Sequence, residues 1–88
     1  MVRRRVVVHG RVQGVFFRDS VRRRAQSLGV AGWAANRADG TVEAVFEGEP
    51  EAVDELVDFC RKGPGHARVS RVEVVAEEPE GLHGFRIA

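Results

Sequence analysis

Along this chain the spacing of apolar residues switches between two periods in a fixed order, and that order restricts the fold more than any other feature. Residues 3–9 end in the β-branched run Val6-Val7-Val8, as a central strand does. From Phe17 to Leu28 the apolar positions Phe17, Val21, Ala25 and Leu28 recur at steps of three and four, one face of a helix. Gly29 follows, where a helix commonly closes in a left-handed turn. Residues 30–36 and 41–47 read as two strands joined across Asp39-Gly40, a hairpin signal. The second of them alternates, with Val42, Ala44 and Phe46 on one face and Thr41, Glu43 and Glu47 on the other. A second helix starts near Pro50, buries Val53, Leu56, Val57 and Cys60, and stops at Gly63-Pro64-Gly65. Strands over 68–76 and 85–87 complete the chain.

The order β-α-β-β-α-β, with a short last strand added, predicts an α+β fold of the ferredoxin-like, split βαβ kind: an antiparallel sheet with two helices on one face. A chain of 88 residues with 43% hydrophobic content buries one core and not two, so a single domain over residues 1–88 is expected. This topology carries many unrelated activities, and function has to be argued from a site.

Several function classes fall away. Cys60 is the one cysteine, so no internal disulfide forms, and its apolar neighbours make it a core thiol. His9, His66 and His83 are scattered, without Cys-x-x-Cys or His/carboxylate spacing, and no metal or other cofactor is expected. The only apolar run after Arg3-Arg4-Arg5 is Val6–Val8, too short for a signal core, and no segment is long enough to span a bilayer. These features predict a cytoplasmic protein without a membrane partner, with monomer as the default. A net charge of +1 is no electrostatic match for nucleic acid, and the central strands lack the aromatic ladder of an RNA-binding sheet.

The informative segment is Gly10-Arg11-Val12-Gln13-Gly14-Val15-Phe16-Phe17-Arg18. Glycines let backbone N–H groups turn inward, and a helix start leaves several of them without partners. The result is a concavity suited to an anion, with the planar guanidinium of Arg18 placed to grip two oxygens. Loop physics alone leaves two readings open, this cradle or a tight connection with an ordinary surface arginine. Asp19 would cap the helix or compensate its dipole. Asn36, just before the hairpin turn, is on local grounds a turn residue.

The string Gly10–Arg18 resembles the signature loop of acylphosphatases, and Gly32-Trp33-Ala34-Ala35-Asn36 with Asp39-Gly40-Thr41-Val42-Glu43 is similar to that family's second signature. The resemblance spans nearly the whole chain, to Gly84-Phe85-Arg86-Ile87; Ala34 stands where valine is more usual. It implies a hydrolase that splits the carboxyl–phosphate bond of small acyl phosphates by direct in-line attack of water. By the same resemblance Arg18 holds the phosphoryl group and Asn36 orients the water. The backbone of Val12, Gln13, Gly14, Val15, Phe16, Phe17 and Arg18 lines the phosphate cradle, and inorganic phosphate is product and inhibitor. The alternative is a non-catalytic module that binds acyl phosphate, carbamoyl phosphate or another anion. Either way Arg18 and Asn36 must meet: strands one and two run parallel and end at one sheet edge, about 10 Å apart with strand three between them.

Overall fold

The computed structural model describes Met1 to Ala88. The elements are β1 (Val2–Arg11), α1 (Phe17–Leu28), β2 (Ala31–Asn36), β3 (Val42–Gly48), α2 (Pro50–Lys62), β4 (Arg68–Glu77) and β5 (Phe85–Ile87). Both helices lie where the apolar spacing predicts them, and α1 closes on Gly29 at φ 69°, the left-handed conformation expected there.

The sheet order is β4-β1-β3-β2-β5. Pairs β4–β1, β1–β3 and β3–β2 are antiparallel, whereas β5 runs parallel to β2. The sheet is therefore mixed, which corrects the expectation of an antiparallel one. Residues 78–84 carry the chain from the β4 edge to the opposite edge and reverse it, so the last strand arrives pointing the same way as β2. Phe85 then stacks on Phe46, with ring centroids 5.9 Å apart.

Val6, Val8, Ala34, Val42, Ala44 and Phe46 form the sheet's share of the core, and Val21, Ala25, Val53 and Leu56 the helices' share. Ala34 is fully buried. Cys60 is buried too, and burial pushes its thiol up to about 12. Two glycines permit close strand approach: a Cβ at Gly32 would lie 1.8 Å from the Val45 carbonyl oxygen, and one at Gly10 2.1 Å from that of Arg68. Between His9 and Gly10 the β1–β4 register shifts and leaves Ser70 unpaired, a bulge in β4 beside the end of β1.

The helix-free face carries charge, but not all of it faces water as alternation suggests. Glu47 is only 2% exposed. It pairs with Arg3 at 2.6 Å, directly across β1–β3, and accepts N–H bonds from Glu80, Gly81 and Leu82. Burial alone would raise the carboxyl's pKa; the backbone donors and Arg3 outweigh it and hold the group down at about 2. The C-terminal crossover is thereby tied to the sheet through one carboxylate.

Candidate active site

Val42 pairs with Val8 of β1 on one side and with Asn36 of β2 on the other. The end of β2 is therefore level with the point where β1 runs on into the loop, as the parallel-strand argument requires. Arg18 and Asn36 line one hollow of about 290 Å³, together with Val12, Gly14, Phe16 and Asp19.

None of the backbone N–H groups from Gln13 to Asp19 donates to a backbone carbonyl; the first to do so is Ser20, to Phe16 at 3.0 Å. This run arises because Gly14 (φ 74°) and Phe16 (φ 60°) take positive φ, so the chain curls into the helix without strand or turn bonds. Consecutive free N–H groups at a helix start attract an anion. Glycine takes such a conformation without strain, but for phenylalanine it costs on the order of 1–2 kcal/mol. Phe16 is also 79% exposed, so its ring gains little from burial. Strain held at a loop of this kind is a frequent mark of function.

The remaining loop residues divide by role. Val12 and Phe17 both border the hollow, yet at 1% and 2% exposed their side chains belong to the core. Val15 packs against the core from outside. The Gln13 side chain, expected to contribute backbone alone, donates to the carbonyls of Arg37 (2.7 Å) and Thr41 (2.9 Å), tying the loop to the β2–β3 turn. Nothing local in the sequence signals that bond, because its acceptors lie beyond the next two elements. Thr41 is held in turn by Asp39.

Asp19 does not cap α1, whose first turn has no side-chain cap bond. Both its oxygens are taken by Arg22 and Arg23, each at 2.6 Å, which leaves it the dipole role. Arg18, beside it in sequence, takes part in no ion pair, so its guanidinium is available to a ligand. His9 lies outside the hollow and binds Glu73 at 2.5 Å. Arg5 lies 5.7 Å from the Trp33 ring centre, and Arg24 4.2 Å from that of Phe59; both are packing contacts. No three His, Cys, Asp or Glu side chains are grouped so as to hold a metal ion. No helix is long and apolar enough to cross a membrane.

Residues 4–87 match the sequence pattern of the Acylphosphatase family. The chain is 65% identical to an acylphosphatase of Rubrobacter xylanophilus, over 94% of this chain and 76% of that one. It is 57% identical to an acylphosphatase of Thermococcus kodakarensis, over 98% and 94% of the two chains. Its backbone superposes on the crystal structure of acylphosphatase from Bacillus subtilis with a TM-score of 0.96, at 38% identity, over 100% of this chain and 99% of that one. With sequence and backbone agreeing along its whole length, this chain belongs to the acylphosphatase family.

Proposed function

We propose that the acyl phosphate's phosphoryl group sits in the curl of N–H groups from Gln13 to Asp19, gripped by Arg18, while Asn36 orients the attacking water. That the chain is an acylphosphatase follows from its family; the assignment of roles to residues is our reading. It rests above all on one observation: a guanidinium without an ion-pair partner and five members of a run of free N–H groups, Gly14 and Phe16 to Asp19, line one hollow with Asn36.

In this reading the water oxygen attacks phosphorus on the side opposite the acyl oxygen. The new P–O bond forms as the bond to that oxygen breaks, and its electron pair leaves on the carboxylate. The water's protons leave with the inorganic phosphate. A carboxylate is a stable leaving group and needs no general acid. Catalysis can therefore come from positioning and charge stabilisation, which free N–H groups and Arg18 supply. Residues 1–88 would act as one domain and as a monomer in the cytoplasm, on small acyl phosphates and not on nucleic acid. The net charge of +1 is in keeping with this.

The roles separate by mutation. Arg18→Ala should abolish turnover and weaken inorganic phosphate binding together, and lysine should rescue poorly because a point charge lacks the two-pronged grip. Asn36→Ala should stay folded by circular dichroism and keep its phosphate affinity, while kcat falls by about 10²–10³. A folded Asn36→Ala enzyme with normal turnover would reduce Asn36 to a turn residue.

A further inference from the structure

We propose that a second, basic hollow beside the phosphate loop receives the acyl chain and selects acyl phosphates whose chain ends in an anion. The proposal rests on the reading above, which puts the phosphoryl group at Arg18.

This hollow measures about 510 Å³ and is lined by Arg11, His66 and Arg68. It meets the Arg18–Asn36 hollow at Gly14 and Phe16, which line both. A Cβ at Gly14 would find no atom within 4 Å, so nothing crowds the chain over this residue. An acyl phosphate with phosphorus near Arg18 can extend its chain over Gly14, alongside the exposed ring of Phe16, into the basic hollow.

The charges there have no structural explanation. Arg11 and Arg68 are direct register partners across β1–β4, an arrangement that repels. Three other sheet arginines are matched to carboxylates, Arg3 to Glu47, Arg5 to Glu43 and Glu77, and Arg71 to Glu73, whereas Arg4 and Arg86 stand alone and face no second arginine across a strand pair. Arg11, Arg68 and His66 take part in no ion pair. The β4 bulge at Ser70 and the Gly63-Pro64-Gly65 corner bring Arg11, Arg68 and His66 to one rim from separate parts of the chain. An anion between the two guanidiniums relieves their repulsion, and both carboxylate and phosphate fit the planar fork.

The test compares three acyl phosphates of similar length: butyryl phosphate with a neutral tail, succinyl phosphate with a carboxylate, and 3-phosphonopropionyl phosphate with a phosphonate. At low salt the enzyme should favour at least one anionic tail by about tenfold in kcat/KM, mostly through KM, as close charge pairing allows. The better of the two tails identifies the preferred anion. Arg68→Ala should lower that preference by about fivefold, and Arg68→Glu should abolish it. Butyryl phosphate, whose tail carries no charge, should lose far less kcat/KM than the anionic substrates in both variants, and 0.5 M salt should shrink the wild-type preference. Equal kcat/KM for all three substrates, or an undiminished ratio in Arg68→Glu, would overturn the proposal. Arg18→Ala assayed on butyryl phosphate separates the two readings. Normal turnover there defeats the phosphoryl placement itself, whereas lost turnover without tail selectivity defeats only the acyl site.

Discussion

The side-chain amide of Gln13 donates to the backbone carbonyl of Arg37 at 2.7 Å, joining the loop that would hold phosphate to the turn that follows Asn36. A second bond to Thr41 makes the link two-pronged. Strand pairing and the buried side chains of Val12 and Phe17 set the rest of the geometry, and this side chain is the polar tie that holds the loop against the end of β2.

Gln13→Ala should therefore lower kcat by about tenfold, since small misplacement of reacting groups is costly. Melting temperature should change little, because both bonds lie near the surface. Amide exchange of Arg37 and Gly40, whose bonds close the turn that Gln13 ties down, should speed up while that of the helices stays constant. An enzyme with unchanged kcat would show that β1–β3–β2 pairing is sufficient to align the site.

The Arg3–Glu47 pair governs behaviour in acid. The folded carboxyl titrates at about 2, against 4.5 for an unrestrained glutamate. A depressed pKa contributes stability that is complete above 4.5 and is lost as pH falls towards 2. Its size is roughly 3 kcal/mol. Denaturant unfolding at pH 7 should find Glu47→Gln less stable than the wild type, with the difference shrinking between pH 4.5 and 2.5. A difference independent of pH would mean that the carboxylate is not held ionised by its partners.

Phe16 pays a backbone cost that glycine would not. Phe16→Gly should raise stability by about 1 kcal/mol or leave it unchanged, despite the greater freedom of glycine in the unfolded chain. Phe16→Ala keeps the positive φ and should gain nothing. If both variants lose stability alike, the ring and not the backbone is what the site holds.

Inorganic phosphate should compete with substrate and raise the melting temperature by mass action on the folded state. In an NMR titration the amides of residues 13–19 should shift most; shifts centred on Arg22–Arg24 would indicate surface binding instead. Turnover should survive exhaustive chelation, because the proposed grip uses N–H groups and a guanidinium. Activity lost to a chelator and restored by a divalent ion would sink that account.

Local sequence determined the elements and where they stop. The apolar spacing from Phe17 to Leu28, Gly29 after it, Asp39-Gly40 in the hairpin and Pro50 at the head of α2 act over a few residues each, and the structure has every one in place. The meeting of Arg18 and Asn36 was legible as well, because right-handed βαβ geometry makes β1 and β2 parallel and brings their ends to one edge. Tertiary structure decided what depends on partners distant in the chain. Alternation placed Glu47 on the polar face, but only the passage of residues 80–82 over it makes that face bury a charge. The direction of β5 follows from the path of the same crossover, not from its three residues. Gln13 reads as loop backbone until folding brings the Arg37 carbonyl beside it, and Arg11 and Arg68 become neighbours only through the β1–β4 register. Periodicity reports which face a residue takes; what lies across from it is set by strand order and register, which no local window contains.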